Sequence, residues 1–280
     1  MAPAEGPVAI VAGGGRFPAE VAEAVRATGR EALVIGLRGF APRRIAGKRV
    51  ATVDMLDPAG LIGLLREARP ACVVLAGAVT RPGPLAISSV FSAFRNREEL
   101  ARILSSGDDR ILRGAVALLE ENGFRVVGAQ EVAPGVLAPE GALTAARPTV
   151  AQEADIALAT DLLAVTGRFD IGQGVVVSGG RVLAVEGPEG TDAMLDRVAQ
   201  LQRSRRVRLD GGGGVLVKRP KPGQDLRVDL PALGPRTIAK LRAAGLSGAA
   251  VEAGGVVLID RAETVRAADA AGLFLVGRRA

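Results

Sequence analysis

Short apolar runs alternate along the first half of the chain with longer stretches whose apolar positions recur every three or four residues. VAIVAG (residues 8–13) is a buried-strand pattern that ends in a glycine turn. FPAEVAEAVRATG (17–29) carries helical spacing, with Gly29 as its C-terminal stop. EALVIGL (31–37) is a second strand. DPAGLIGLLREARP (57–70) starts a helix with Asp57 as N-cap and Pro58 at the first helical position. ACVVLAGAV (71–79) predicts a third strand, SGDDRILRGAVALLEENG (106–123) a helix begun by Asp108 or Asp109 and closed by Gly123, and FRVVGAQEV (124–132) a fourth strand. Strands that alternate with helices, and that are apolar throughout, predict a parallel sheet covered on both faces. The expected fold class is α/β, with residues 1–132 forming a doubly wound, Rossmann-like domain.

The pattern changes after Val132. Residues 133–148 contain three prolines and read as a linker. VAQEADIALATDLLAVTG is helical, and QGVVVSGGRVLAVEG is a hairpin turning on Ser178-Gly179-Gly180. TDAMLDRVAQLQRS predicts a helix begun by Thr191 or Asp192. PRTIAKLRAAG predicts another, and GGVVLID and GLFLVG read as strands flanking one more helix. Residues 149–280 are thus expected to form an α+β domain. GVLVKRPKPGQDLRVDLPALG (214–234) reads as a hairpin: a buried strand, a turn at Pro222-Gly223, and a second strand across Leu226–Leu230. In that strand Asp225, Arg227 and Asp229 would share one face, with Asp225 and Asp229 about 13 Å apart.

Composition narrows the chemistry. The 280 residues include no His, Trp or Tyr, one Cys and seven Phe. Without His, imidazole-based triads and imidazole metal ligands are excluded, and a single thiol excludes a structural zinc site. A catalytic metal would be held by oxygens, which favours Mg²⁺, with Mn²⁺ as the alternative. Few aromatics make a poor stacking platform for nucleic acid. The formal charge of +6 suits an anionic small molecule or an anionic membrane surface. Cys72 lies in an apolar run and is expected to be a buried, inert thiol. No apolar run is long enough to span a bilayer and the start lacks a signal-peptide pattern, so a cytoplasmic protein without disulfides is expected. Lys occurs only at positions 48, 218, 221 and 240, so two of four lysines fall within the 214–234 stretch.

Two regions carry candidate chemistry. Gly13, Gly14, Gly15 and Arg16 lie between a strand and a helix, where backbone N–H groups can meet a phosphate. Pro18 stands where a dinucleotide fingerprint has its third glycine, and Leu37-Arg38 stands where an NAD site has an acid. A nucleotide or phosphate contact is therefore preferred. An NADP-linked reductase using Arg38, and a non-catalytic nucleotide-sugar-binding module, are the competing readings. Thr80 and Arg81 follow the third strand at the same sheet edge. In the second half Asp170, Glu189, Asp192 and Asp225 each sit by a glycine turn. One or two of them with substrate phosphates would suffice for Mg²⁺. Each also has a plain structural role open to it, as turn former, helix N-terminal charge or solvated group. Lys218 and Lys221 would neutralise phosphate charge, with Gln224 and Asp225 in the same turn. Hydrolysis of a phosphoric anhydride fits a chain without His. The leaving phosphate monoester has a second pKa of about 6 and departs at neutral pH without a general acid.

DIGQGVVV, LAVEGPEGTDAMLDR, GVLVKRPKPGQDLRVDLPALGPRTI and AGLSGAAVEAGGVVLID resemble the C-terminal domain of the LpxI-type UDP-2,3-diacylglucosamine pyrophosphatases. IVAGGGRFP, LAGAVTRPG and SGDDRILRGAVALLEENGFRVVGA resemble their N-terminal domain, so the likeness covers essentially the whole chain. The resemblance implies a Mg²⁺-dependent hydrolase of lipid A biosynthesis in a Gram-negative bacterium, with no organic cofactor. It would split UDP-2,3-diacylglucosamine into UMP and 2,3-diacylglucosamine 1-phosphate by attack of water on the sugar-side phosphorus. It also implies a homodimer, and it places the family's essential aspartate on Asp225. With it, the candidate catalytic residues are Asp225, Lys218, Lys221 and Gln224, and the candidate metal ligands are Asp225, Asp192, Glu189 and Asp170. The candidate substrate contacts are Gly13, Gly14, Gly15, Arg16, Thr80, Arg81, Gln173, Thr191 and Arg227. An amphiphilic substrate further implies transient contact with the cytoplasmic face of the inner membrane, and no nucleic-acid partner.

Overall fold

A computed structural model describes residues 6–42, 44–45, 48–49, 51–79, 108–169, 171–209 and 212–279. It divides into two compact units, Met1–Gly135 with Arg227–Asp229, and Val136–Leu226 with Leu230–Ala280.

In the first unit β1 (Val8–Ala12), α1 (Phe17–Ala27), β2 (Ala32–Leu37), the short pair β3 (Arg44–Ile45) and β4 (Lys48–Arg49), β5 (Ala51–Val53), α2 (Pro58–Ala68) and β6 (Cys72–Ala76) are followed by α3 (Asp108–Glu121) and α4 (Ala129–Val132). The main sheet has the order β5-β2-β1-β6, and every pair in it is parallel. Val8 to Ala12 are all buried, as expected of a central parallel strand covered on both faces. Asp57 caps α2 as expected, its Oδ1 accepting from Gly60 N at 2.8 Å. Gly29 and Gly123 take positive φ just beyond α1 and α3. FRVVGAQEV is not a full strand. A single bridge joins Val126 to Val73, and the chain then turns into α4. Cys72 is buried.

Loops after β1 and β6 are laced together. Gly13 N donates to Ala76 O at 2.8 Å, Gly14 N to Ala78 O at 2.7 Å, and Ala78 N back to Gly14 O at 3.0 Å. A Cβ at Gly13 would lie 2.7 Å from Ala78 O, and one at Gly77 would lie 2.7 Å from Gly14 O. These glycines permit close backbone approach. Val228 packs against the core of this unit, and Arg227 pairs with its Glu120 at 2.7 Å.

The second unit continues with β7 (Gly141–Ala142), α5 (Val150–Thr166), β8 (Gly174–Ser178), β9 (Arg181–Val185), α6 (Gly190–Arg203), β10 (Val215–Lys218), β11 (Ala232–Leu233), α7 (Pro235–Ala243), β12 (Gly248–Glu252), β13 (Val257–Leu258), α8 (Arg261–Ala270) and β14 (Phe274–Arg278). Its sheet has the order β7-β14-β12-β10-β8-β9. The three central strands β14, β12 and β10 are parallel, while β8, β9 and β7 run antiparallel at the flanks. The α+β expectation is therefore corrected at the centre. The chain crosses from β10 to β12 through α7 and from β12 to β14 through α8, and such crossovers generate parallel pairs. Strand β12, from the Ala-rich GAAVE, carries too little β propensity to announce itself. The proline-rich 133–148 segment is not free chain: it holds a 3₁₀ turn and β7, and Thr144 Oγ1 accepts from Leu275 N at 2.8 Å. The hairpin expected across 214–234 does not form. Leu226, Arg227 and Val228 make a turn, and β10 pairs with β8 and β12 instead. The separation of about 13 Å inferred for Asp225 and Asp229 thus loses its basis.

The hairpin of β8 and β9 does form, with Gly179 and Gly180 at positive φ. Its turn is held by buried Asp155 of α5, whose Oδ2 accepts from Gly179 N at 2.9 Å and whose Oδ1 accepts from Gly180 N at 2.6 Å. Two charge-assisted bonds tie helix to turn. Asp155→Ala should destabilise this unit by about 3 kcal/mol, read as a lower urea midpoint, and an unchanged midpoint would show the clamp to be idle. Gly13→Ala, which pushes a Cβ into Ala78 O, should cost about 2 kcal/mol in thermal unfolding of the first unit.

Candidate functional site

Strand β10 ends on Lys218, whose residue is only 4 % exposed. The neighbouring strand places Gly174 opposite it in register. On the other side of Gly174 the chain leaves β9 at Glu186, whose N–H donates to Gly174 O at 2.8 Å. A Cβ at Gly174 would lie 2.5 Å from Glu186 Oε2. The missing side chain opens a gap in which a lysine and a glutamate from non-adjacent strands approach each other, Nζ to Oε2 at 3.9 Å. The ammonium donates to Thr191 Oγ1 at 2.6 Å and to Ala232 O at 3.2 Å. The Thr191 hydroxyl donates in turn to Glu186 Oε1 at 2.9 Å. Its proton is thus fixed between a cation and an anion, and Gly190 at φ 79° sets the start of α6 that presents it. Glu186 Oε2 is buried and has no hydrogen-bond partner among the described residues. The Lys218 charge compensates it, so loss of either partner would strand the other in a poorly solvated place.

The loop that follows Lys218 is braced at several points. Arg219 pairs with Glu252 at 2.9 Å, and Arg219 N donates to the Gln173 carbonyl at 3.0 Å. Pro220 lies against Gly255 and Pro222 against Gly167; a Cβ on Gly167 would lie 2.4 Å from the Pro222 ring, and one on Gly255 would press on Pro220 at 3.0 Å. Gln224 closes the turn: its Oε1 accepts from Lys221 N at 2.9 Å and its N–H donates to Lys221 O at 3.1 Å, with Gly223 at φ 76° between them. This turn carries half-buried Lys221 and Asp225. The Gln224 side chain, expected in catalysis, bonds the Lys221 backbone and so shapes the turn. Arg227 belongs to the first unit, where it pairs with Glu120.

The remaining candidates divide as follows. Glu189 pairs with Arg197 at 3.0 Å and Asp192 with Arg236 at 2.6 Å, so both expected metal ligands are engaged by arginines. Among the described residues no three acidic or thiol groups converge on a position that could hold a metal ion. Asp170, Thr80 and Arg81 lie outside the described residues. Gly13 and Gly14 direct their N–H groups to protein carbonyls, which leaves exposed Gly15 and Arg16 as the accessible part of that loop. Glu186 was not anticipated from the sequence. The signal available was two apolar strand runs, VLAVE and VLVK, that each end on a charge of opposite sign.

Family models of the LpxI N-terminal domain and the LpxI C-terminal domain match residues 7–136 and 139–276. The UDP-2,3-diacylglucosamine pyrophosphatase LpxI of Caulobacter vibrioides is 40 % identical over 268 residues, 96 % of each chain. Likeness to solved structures is slight. A UDP-glucose-4-epimerase from Stenotrophomonas maltophila gives a TM-score of 0.25 at 11 % identity, over 43 % of this chain and 35 % of that one. A glycinamide-RNase-transformylase T from Mycobacterium tuberculosis gives 0.22 at 19 %, over 67 % and 45 %. With both domain models in sequence order and near-complete coverage of a curated relative, the chain belongs to the LpxI family.

Proposed function

We propose that the chain hydrolyses UDP-2,3-diacylglucosamine to UMP and 2,3-diacylglucosamine 1-phosphate in lipid A biosynthesis. The observation that carries this reading is 40 % identity across 96 % of both chains with a relative of that name. In the proposed reaction water oxygen bonds to the sugar-side phosphorus and the bridging P–O bond breaks, its electron pair leaving with UMP. Water's protons pass to solvent or to a neighbouring base. The chain's part is to position the diphosphate and to stabilise charge. Lys221, half-buried in the braced turn, meets a phosphate oxygen directly. Lys218 acts from beneath, as a buried positive charge transmitted through the Thr191 hydroxyl, and Glu186 positions both. Asp225 orients the reacting groups in the same turn.

A hard cation fits oxygen donors of this kind. One carboxylate plus diphosphate oxygens satisfies Mg²⁺, or Mn²⁺ in its place, and Asp225 is the side chain assigned to hold it. When bound, it would neutralise charge on the diphosphate. The first unit is read as a doubly wound, Rossmann-like domain whose Gly15–Arg16 segment contacts phosphate or nucleotide. An amphiphilic substrate is in keeping with exposed apolar residues around the Gly167–Pro222 contact, Val165 at 56 %, Phe169 at 61 % and Ile171 at 41 % exposure. The working form is proposed to be a cytoplasmic homodimer that visits the inner membrane.

Incubation with UDP-2,3-diacylglucosamine and Mg²⁺ should release UMP, and Asp225→Ala should lower turnover by about 100-fold or more. No UMP, or undiminished UMP from the variant, would sink the reading. Glu186→Gln should lower kcat by about tenfold with KM little changed, and should destabilise the fold by about 3 kcal/mol. Adding Lys218→Met should restore most of that stability but no turnover, because it removes the stranded charge and the working cation together. Additive stability losses would contradict the coupling.

A further inference from the structure

Helix α6 ends in an arginine-rich turn. Arg203, Arg205, Arg206 and Arg208 fall within six residues, and all four are exposed. Among the described residues none of their side chains makes an ion pair or hydrogen bond, whereas the arginines at 197, 219, 227, 236, 266, 278 and 279 each have a carboxylate partner. The display is held in place. Arg205 N donates to Gln202 O at 2.8 Å and Arg206 N to Leu201 O at 3.0 Å, closing the helix. Arg205 takes φ 57° at the position where glycine is usual, and Leu209 packs inward against the core of this unit. An open concavity of about 790 Å³ lies here, lined by Arg205 and Arg208 with Gln202, Val207, Leu209, Gly212, Gly213 and Gly245. Exposed Arg242 of α7 lies three residues before Gly245.

We propose that this arginine turn is the face with which the protein docks on an anionic lipid bilayer. A cluster of exposed cations, unpaired among the described residues, complements the negative potential of such a surface, where each basic side chain strengthens binding about fivefold. No Trp or Tyr exists in the chain to stack on nucleic-acid bases. The choice of a bilayer rests on the proposed diacyl substrate, which resides in one. The surface itself lies at the far end of α6 from Thr191, outside the proposed machinery.

The test is sedimentation with phosphatidylglycerol vesicles and with phosphatidylcholine vesicles, using the full-length protein and Arg205→Gln/Arg206→Gln/Arg208→Gln. Wild type should bind the anionic vesicles alone, and more weakly as salt rises. The triple variant should bind at least about tenfold less well, while retaining its circular dichroism and its turnover of detergent-dispersed substrate. Vesicle binding that is absent in wild type or equal in the variant would overturn the proposal. So would saturable binding of inorganic phosphate to these arginines with no preference for vesicles, or tighter arginine-dependent binding to duplex DNA. Failure of turnover in detergent with vesicle binding intact would count against the hydrolase reading alone.

Discussion

A glycine between two charges organises the second unit. Gly174 stands in β8 with Lys218 on one side and Glu186 on the other, and only the absence of its side chain lets the two meet. A buried ammonium needs both an opposite charge and hydrogen-bond acceptors. Glu186 supplies the charge, and Thr191 and the Ala232 carbonyl supply acceptors. One cation therefore ties together the end of β10, the turn after β9, the first turn of α6 and the start of β11. Thr191 stands 27 residues before Lys218 and Ala232 stands 14 after it, so this group of contacts adds to the apolar core in fixing where these segments lie.

The loop carrying Lys221 and Asp225 grows directly from that cation. Its path is held by Arg219 with Glu252, by two proline–glycine contacts and by Gln224 folding back on Lys221. A turn fixed at this many points presents its side chains with little conformational freedom left to lose. That is the condition under which positioned charges contribute to a transition state. In the first unit, backbone lacing consumes the amides of Gly13 and Gly14 and leaves Gly15 and Arg16 as the exposed part of the glycine loop.

Much of this was legible in the sequence because it rests on local rules. The caps at Asp57, the stops at Gly29 and Gly123, and the Ser-Gly-Gly hairpin follow from backbone geometry that the residue types dictate. The segment from Leu226 to Leu230 misled because its strict alternation of polar and apolar residues imitates a strand. Its actual state is set by Val228 packing on the core of the first unit, a contact no local pattern records. Glu186, Asp155 and the parallel centre of the second sheet were hidden for a related reason. Each depends on which strand lies beside which, and the sheet order brings residues together across gaps in sequence. Glu189 and Asp192 drew attention as carboxylates beside a glycine turn, yet their pairing with Arg197, a helical turn or two on, and with Arg236 of α7 is set by the fold.

The proposed reaction is hydrolysis of a diphosphate at its sugar-side phosphorus, served by these second-unit groups. Hydrolysis of UDP-2,3-diacylglucosamine in ¹⁸O-enriched water, followed by ³¹P NMR of both products, reads it directly. The isotope is expected in 2,3-diacylglucosamine 1-phosphate, with UMP unlabelled. Label in UMP, or no cleavage at all, would contradict it.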